Sequence, residues 1–332
     1  MMDSKEIVDA RTTISTYVTR TPLQYSRYFS EVTGGRVYLK LENLQVTNSF
    51  KIRGTINKML HLTEQEKTRG IVTASAGNHA QAVAIGAEKL NLRVKIVIPT
   101  TTPTIKLNKI RQHNVEPILH GVIYDEAEKY AIALGKQEGL TYISPYNDRY
   151  VIAGHGTIGL EILEDQPTVS TILVPVGGGG LISGIALAVK RSRPDVRIIG
   201  VQSEASPVMY ESLKAGKLVE TQLRESIADG LYGGVEEGSM TFDMVRNYVD
   251  DLWLVKEKTI RKAIYVLWKE ERQVVEGAGA VTVAAFLDHV NGYSGQTVAA
   301  VVSGGNIDEQ LFLEVVSEEG DNVSTRPAFR ST

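Results

Sequence analysis

Short apolar runs alternate with amphipathic helical patterns along almost the whole chain. Several of the runs, such as TILVPVG at 171–177, are continuously apolar, as strands covered on both faces tend to be. Helical patterns lie between them, for example at 78–90, 125–139 and 259–272. Strand–helix alternation favours parallel sheets in an α/β protein. Because about nine strands exceed one small sheet, we expect two wound, mostly parallel sheets with a cleft between them. The predicted strands are 37–42, 70–77, 93–99, 116–121, 141–146, 171–177, 197–204, 251–256 and 297–305.

Composition narrows the class of protein. A length of 332 residues predicts about two domains. The net charge of −3, with both signs mixed throughout, argues against a nucleic-acid or anionic-membrane surface. The absence of cysteine excludes disulfides, thiolate metal sites and cysteine nucleophiles. The N-terminus lacks the apolar core of a signal peptide, and no apolar run approaches the roughly 18 residues of a membrane span, so we expect a cytoplasmic protein.

The strongest local signal is ILVPVGGGGLISG at 172–184, where a buried-type strand runs through four glycines directly into a helix. Glycines let successive backbone N–H groups turn toward one point, and the helix N-terminus behind them carries a partial positive charge. Such a loop can bind a phosphate or a carboxylate. No Gly-Lys-Ser/Thr follows, so it is not a Walker A loop.

A second glycine motif, GHGTIG at 154–159, fits the dinucleotide fingerprint only in its letters. No full buried strand precedes it, and the next strand ends in glycines where a ribose-binding acid should stand. We therefore interpret it as the start of a helix without a nucleotide role.

Two further candidate sites lie at predicted strand ends, where α/β sheets bind ligands. TASAGNHAQA at 73–82 offers short side chains and backbone N–H groups in a strand-to-helix turn. These groups suit a small carboxylate. In VVSGGN at 301–306, Ser303 ends a buried-type strand and the glycines permit close approach of a ligand. No HExxH pair and no G-x-S-x-G elbow is present, so a metallohydrolase and an α/β-hydrolase are disfavoured.

A lysine stands in NSFKIRG at 48–54, between a phenylalanine and an amphipathic helix. Together with an anion-binding loop and without metal or nicotinamide signals, Lys51 suggests a Schiff base to pyridoxal 5′-phosphate. The motifs ENLQVTNSFKIRG, TASAGNHAQ, AGHGTIGLEI, VPVGGGGLISG, IADG, EGAGA and SGGN occur in the order seen in fold-type II pyridoxal-phosphate enzymes. Over residues 5–315 the chain resembles the threonine/serine dehydratases (threonine ammonia-lyases) of the short, catabolic kind.

The resemblance implies a fold like that of tryptophan synthase β, with the cofactor in a cleft between two domains. The large, cofactor-binding domain would comprise residues 1–47 and 149–332, and the small domain, residues 48–148, would carry the substrate-carboxylate loop. It also implies a homodimer or homotetramer. The implied reaction is deaminating β-elimination of L-threonine or L-serine to 2-oxobutanoate or pyruvate and ammonia.

The resemblance assigns cofactor contacts by position. Lys51 would carry the cofactor and then take the Cα proton of the substrate, and Phe50 would pack against the pyridine ring. Asn78 would bind the ring's 3′-oxygen, Ser303 would meet its nitrogen, and Glu276 would lie near it. The residues that would bind the phosphate through backbone N–H groups are Gly177, Gly178, Gly179, Gly180 and Leu181. Those that would bind the substrate carboxylate are Ser75, Gly77, Asn78 and His79.

The chain departs from related enzymes at informative positions. Asn48 replaces the usual glycine before Ser-Phe-Lys, which is expected to reshape that turn. Ala76 stands where serine racemases have the serine that acts as the second acid. Gln202 and Val208 stand where racemase-like relatives have metal-binding carboxylates, so no divalent metal site is expected. The chain ends before any C-terminal regulatory domain, so isoleucine inhibition is not expected.

Alternatives remain open from the sequence. A dehydratase of another β-hydroxy amino acid, such as hydroxyaspartate or phenylserine, would share these motifs. So would a serine or aspartate racemase. An alternative from a different class is a non-catalytic protein that binds an anion or a nucleotide through the glycine loop.

Overall fold

The computed structural model describes residues 2–289 and 292–324. Its larger sheet has six strands in the order β1-β2-β10-β7-β8-β9. Only β1 runs antiparallel to its neighbour, and the other pairs are parallel. The strands are β1 Leu23–Ser26, β2 Arg36–Leu41, β7 Thr171–Pro175, β8 Arg197–Ser203, β9 Asp251–Val255 and β10 Thr297–Val302.

The smaller sheet has four parallel strands in the order β5-β4-β3-β6. The strands are β3 Ile71–Ala74, β4 Val94–Ile98, β5 Ile118–Leu119 and β6 Thr141–Tyr142. Two wound, mostly parallel sheets are therefore confirmed. Strand β1 was missed because it is short and lies at a sheet edge, with only Ser26 of its four residues buried.

Fourteen α-helices occur in the described residues, together with short 3-10 helices at Glu42–Leu44 and Asp229–Leu231. None of these helices combines the length and the apolar character needed to cross a membrane. The α-helices are α1 Ser4–Ile14, α2 Arg27–Thr33, α3 Lys51–Leu60, α4 Glu64–Arg69, α5 Asn78–Lys89, α6 Thr104–Arg111, α7 Tyr124–Glu138, α8 Arg149–Asp165, α9 Gly180–Ser192, α10 Val208–Ala215, α11 Met240–Tyr248, α12 Glu257–Glu271, α13 Gly277–Asp288 and α14 Glu309–Ser324.

Both faces of the large sheet are covered, which explains its continuously apolar strands. Leu173 of β7 packs in a cluster with residues of α12 and α13, whereas Ile172 and Val174 pack with α8, α9 and α11. Because helices cover both faces of the sheet, a ligand can reach its side chains and backbone only at the strand ends.

The glycines of GHGTIG lie inside α8, not at the start of a helix as expected. A Cβ atom at Gly154 would lie 2.3 Å from the carbonyl oxygen of Arg53, and one at Gly156 would lie 2.8 Å from that of Gly184. Close packing of α8 against α3 and α9 therefore requires these glycines. They form no loop that could bind a dinucleotide.

Candidate active site

Lys51 is the first residue of α3, and its amine points at the small sheet. Its Nζ atom donates a hydrogen bond to the carbonyl oxygen of Pro145, which follows β6, at 2.8 Å. Burial lowers the pKa of this amine to about 8, although the nearby Glu276 carboxylate opposes the shift. An amine with this pKa is partly unprotonated near neutral pH, as a catalytic base must be.

The chain before Lys51 is paired with the chain after β10. The N–H of Phe50 donates to the carbonyl oxygen of Ser303 at 3.1 Å, and that of Gly305 donates to the carbonyl oxygen of Asn48 at 2.8 Å. Asn48 has a φ of 53°, a left-handed conformation that asparagine tolerates better than most residues. Asn48 thus adopts a backbone conformation that glycine also adopts readily. Replacing the usual glycine by asparagine therefore does not require the turn to change shape, contrary to our expectation.

The glycine loop between β7 and α9 lies against Tyr146, the residue after the Pro145 that Lys51 contacts. Gly179 has a φ of 89° and is the N-cap of α9, which no side chain caps. A Cβ atom at Gly178 would lie 2.5 Å from the Tyr146 ring, so only glycine fits there. Leu181 belongs to the apolar cluster against which Phe50 packs. The loop is therefore connected to Lys51 by two sets of contacts. One is the packing of Phe50 on the cluster that contains Leu181, and the other runs through Tyr146 and Pro145.

The turn between β3 and α5 presents a second uncapped helix N-terminus. Gly77 is its N-cap, and no other atom lies within 4 Å of a Cβ atom built there. The Oγ atom of Ser75 accepts a hydrogen bond from the N–H of Gly77 at 3.2 Å. The first N–H groups of α5 therefore lack helical partners and face open space, as carboxylate binding requires.

The side chain of His79 is engaged away from the turn proposed to bind the substrate carboxylate. Its Nε2 atom lies 3.1 Å from the carbonyl oxygen of Ile143 and 3.1 Å from the hydroxyl of Thr73. Because a carbonyl oxygen only accepts, Nε2 carries the proton. Burial, with a smaller contribution from Lys51, lowers the pKa of His79 to about 3. The imidazole is thus a neutral core group, and only the backbone N–H of His79 is placed to contribute to anion binding.

Glu276, the N-cap of α13, contacts Asn78 directly. The Nδ2 atom of Asn78 donates to its Oε1 atom at 2.6 Å. Burial, helped by the charge of Asp229, raises the pKa of Glu276 to about 7. The hydroxyl of Ser303 is also buried, and its contact with the carbonyl oxygen of Ala278 is long, at 3.4 Å. It therefore keeps hydrogen-bonding capacity for a ligand.

Sequence reasoning missed Asn306, whose Nδ2 atom donates to the Oδ1 atom of Asn78 at 2.7 Å. The signal was present, because Asn306 is the last residue of the SGGN motif. Its contact with Asn78 could not be read from the sequence, since 227 residues separate the two along the chain.

A buried ion-pair network around Arg53, which lies close to Lys51 in the chain, was also not predicted from the sequence. Its members are Lys40, Glu42, Arg53 and Glu161. Arg53 donates to Glu42 at 2.8 Å and to Glu161 at 2.6 Å, and Lys40 donates to Glu161 at 2.5 Å. Two positive and two negative charges lie together, so no charge is left unpaired. A lysine inside the apolar strand VYLKLE was the available signal. The network holds the first turn of α3 against β2 and α8.

No group of three or more histidine, aspartate or glutamate side chains able to hold a metal ion occurs within residues 2–289 and 292–324. Gln202 has a structural role instead. Its Oε1 atom accepts from the N–H of Tyr210 at 2.8 Å, and its Nε2 atom donates to the carbonyl oxygen of Ser206 at 3.4 Å.

Comparison with known proteins places the chain among enzymes. Residues 14–304 match the family model described as pyridoxal-phosphate dependent enzyme. The L-threonine ammonia-lyase of Thermotoga maritima is 46% identical over 318 residues, which are 96% of this chain and 79% of that protein. The structure of maize serine racemase superposes with a TM-score of 0.90 at 32% identity, over 97% of this chain and 99% of that one. Processed threonine deaminase isoform 2 of Solanum lycopersicum gives a TM-score of 0.89 at 36% identity, over 95% and 88%.

Proposed function

This chain belongs to the family of pyridoxal-phosphate dependent enzymes, and we propose that it is an L-threonine/L-serine ammonia-lyase. The proposed reaction converts L-threonine to 2-oxobutanoate and L-serine to pyruvate, with release of ammonia. The observation that carries this proposal is the position of Lys51, whose amine has a lowered pKa and lies beside two uncapped helix N-termini.

The residues present fit the cofactor. A phosphate needs several N–H donors and positive potential, and the uncapped N-terminus of α9 behind its glycines offers both. Lys51 supplies the amine that holds an aldehyde, and the Phe50 ring lies beside it, with its centroid 5.1 Å from Nζ. We propose Ser303 for the ring nitrogen and Asn78 for the 3′-oxygen, because both are polar side chains at strand or helix ends of the same cleft.

The bound cofactor supplies an electron sink for the negative charge that develops at the substrate Cα atom. Lys51 would accept the Cα proton, since an amine with a pKa of about 8 is partly unprotonated near neutral pH. The N–H groups at the start of α5, together with Ser75, would bind the substrate carboxylate and orient the Cα–H bond toward Lys51. A neutral hydroxyl from Ser303 at the ring nitrogen would not enforce a full positive charge there, which favours prompt elimination.

We propose the domain division predicted above, with one refinement. The four strands of the small sheet all lie within residues 48–148, and the strands of the large sheet lie outside them. Helix α3 starts the small-domain segment but is bound by Arg53 to Glu42 and Glu161 of the large domain. Lys51 is thus tied to the large domain through Arg53, and to the small domain through the packing of Ile52 and Ile56 with Ala82 of α5. Size-exclusion chromatography with light scattering would test the homodimer or homotetramer implied by the resemblance.

A specific observation favours a second candidate, serine racemase, because the maize racemase fold superposes as well as that of the tomato deaminase. Fold alone does not separate elimination from racemisation. The resemblance places the distinguishing residue at position 76, which is alanine in this chain.

The experiment that tests the proposed function is a 2-oxo-acid assay on purified protein across a panel of β-hydroxy amino acids. The panel should contain L-threonine, L-serine, hydroxyaspartate and phenylserine. We expect release of 2-oxo acid and ammonia with L-threonine and L-serine, and visible absorbance from the bound cofactor. Colourless protein without turnover would instead favour the non-catalytic anion-binding alternative.

A further inference from the structure

A chain of side-chain amides runs from the loop before Lys51 to the buried Glu276. The Nδ2 atom of Asn306 donates to the carbonyl oxygen of Thr47 at 2.9 Å and to the Oδ1 atom of Asn78 at 2.7 Å. The Nδ2 atom of Asn78 then donates to the Oε1 atom of Glu276 at 2.6 Å. Thr47 is buried, and Asn306 and Asn78 are partly buried.

The polarity of this chain is fixed at one end by the protein backbone. The carbonyl oxygen of Thr47 can only accept, so the atom of Asn306 that faces it must be the NH₂ group. Both hydrogens of that group are then used, one toward Thr47 and one toward Asn78. The atom of Asn78 that faces Asn306 must therefore be its oxygen, which turns its NH₂ group toward Glu276.

The NH₂ group of Asn78 has two hydrogens, and one of them is used by Glu276. The other has no acceptor in the described part of the chain, so it remains available to a ligand, and the N-terminus of α5 faces open space at Gly77. Without Asn306, only Glu276 would hold the amide of Asn78 in this orientation.

We propose that Asn306 is a positioning residue of the cofactor site, which fixes the amide of Asn78 so that its NH₂ group donates to the bound cofactor. This inference rests on the proposed function, because it takes Asn78 to be a cofactor ligand. Glu276 supports the same orientation from the other side as an acceptor.

Two substitutions of Asn306 distinguish the effect of reversing its hydrogen bonds from the effect of removing its side chain. In Asn306→Asp the side chain keeps its shape but can only accept, so Asn78 must turn its NH₂ group toward residue 306 and its oxygen toward Glu276. In Asn306→Ala the donor is lost without a reversal. We expect the dissociation constant for pyridoxal phosphate, from absorbance titration of the apo protein, to rise about tenfold or more in Asn306→Asp and less in Asn306→Ala.

A double variant distinguishes positioning from a merely structural role. In Asn306→Asp/Glu276→Gln, the new glutamine can donate to the reversed oxygen of Asn78. This restores the hydrogen bonds from position 306 through Asn78 to position 276, but not the one to Thr47, which a carboxylate cannot make. The melting temperature of the apo protein should then recover toward that of Glu276→Gln alone, while cofactor affinity stays low. Glu276→Gln is the matched control, since its amide oxygen can still accept from Asn78.

Each outcome decides something. Wild-type affinity in Asn306→Asp would overturn the inference, and so would a double variant that recovers affinity together with melting temperature. If the apo protein does not survive Asn306→Asp, the affinity of Asn306→Ala decides, and an unchanged dissociation constant there would also overturn it. Failure of the wild-type protein to bind pyridoxal phosphate would instead reject the proposed function.

Discussion

The amine of Lys51 donates a 2.8 Å hydrogen bond to the carbonyl oxygen of Pro145, and this contact joins the start of α3 to the segment that follows the small sheet. Lys51 begins α3, which Arg53 ties to Glu42 and Glu161, whereas Pro145 follows the last strand of the small sheet. A carbonyl oxygen stabilises an ammonium only weakly compared with a carboxylate, so burial dominates and the pKa of Lys51 falls to about 8.

We predict that Lys51 carries the cofactor covalently. Borohydride reduction of the holoenzyme followed by peptide mapping should place the pyridoxyl label on Lys51, and Lys51→Ala should remove it. Lys40 and Lys58 are nearby controls, because each is already engaged by a carboxylate, Glu161 at 2.5 Å and Asp148 at 2.7 Å. A label on either of them would refute the assignment.

The lowered pKa of Lys51 gives a separate prediction on the apo protein. A lysine reacts with amine reagents only when unprotonated, so modification of Lys51 should rise with pH through a midpoint near 8. Exposed lysines should show midpoints more than two pH units higher, near 10.4. In Glu276→Gln the midpoint should move lower still, because a negative charge that favours the ammonium is gone. Mass spectrometry of the modified peptide at each pH measures it, and a midpoint near 10 would contradict the burial argument.

The raised pKa of Glu276 predicts a pH-dependent stability of the apo protein. In the folded state the carboxyl group of Glu276 keeps its proton up to about pH 7. In the unfolded state it loses the proton near pH 4.5. The folded state therefore holds more protons in this window, and the free energy of unfolding falls as the pH rises through it. The loss amounts to as much as about 3 kcal/mol.

Urea unfolding of apo protein between pH 4.5 and 7.5 measures this slope, with Glu276→Gln as the control that should lack it. Other charges near the carboxyl, Asp229, Lys106, Lys109 and Lys51, are retained in that control. Identical slopes in the two proteins would show that Glu276 does not titrate in this range.

The architecture was largely predictable from the sequence because it depends on local periodicity. The turns that we propose to bind ligands follow strands that end at 74, 175 and 302, and continuous apolar runs and glycines indicated these strand ends. The direction of individual side chains was not predictable, since it is set by tertiary contacts. His79 lies in the turn that we propose to bind the substrate carboxylate, but hydrogen bonds with Thr73 and Ile143 hold its ring in the core. Asn306 was quoted within a motif, yet its role emerges only when β10 brings it to Asn78.

We predict that activity requires no divalent metal. The Gln202 side chain is occupied by the backbone at Tyr210 and Ser206, and position 208 is a valine at the start of α10. A hard cation would find too few anionic oxygens there. Dialysis against EDTA should leave the 2-oxo-acid assay unchanged, and a loss of activity that magnesium restores would show that this region has been misread.

We predict that the enzyme eliminates and does not racemise efficiently. Racemisation needs an acid on the substrate face opposite Lys51, and the resemblance places that acid at position 76. Ala76 is partly buried against the apolar cluster that includes Ile71 and Ile96 of the small sheet, and its methyl group has no proton to give. We do not expect Ser75 to replace it, because Ser75 lies one residue earlier, where its Oγ atom accepts from the N–H of Gly77 in the turn that we propose to bind the substrate carboxylate.

With one face inert, a deprotonated substrate can only recover its proton from Lys51 or lose its hydroxyl group. A general acid typically contributes about 10²–10⁴-fold to a rate, so pyruvate formation from L-serine should exceed D-serine formation by at least about 10²-fold. Chiral chromatography of L-serine incubations, run beside the pyruvate assay, measures the ratio. Ala76→Ser should raise D-serine formation from that baseline, with Ser75→Ala as a control that weakens carboxylate binding without adding an acid. Comparable rates of D-serine and pyruvate in the wild-type protein would instead assign it to the racemases, whose fold it shares.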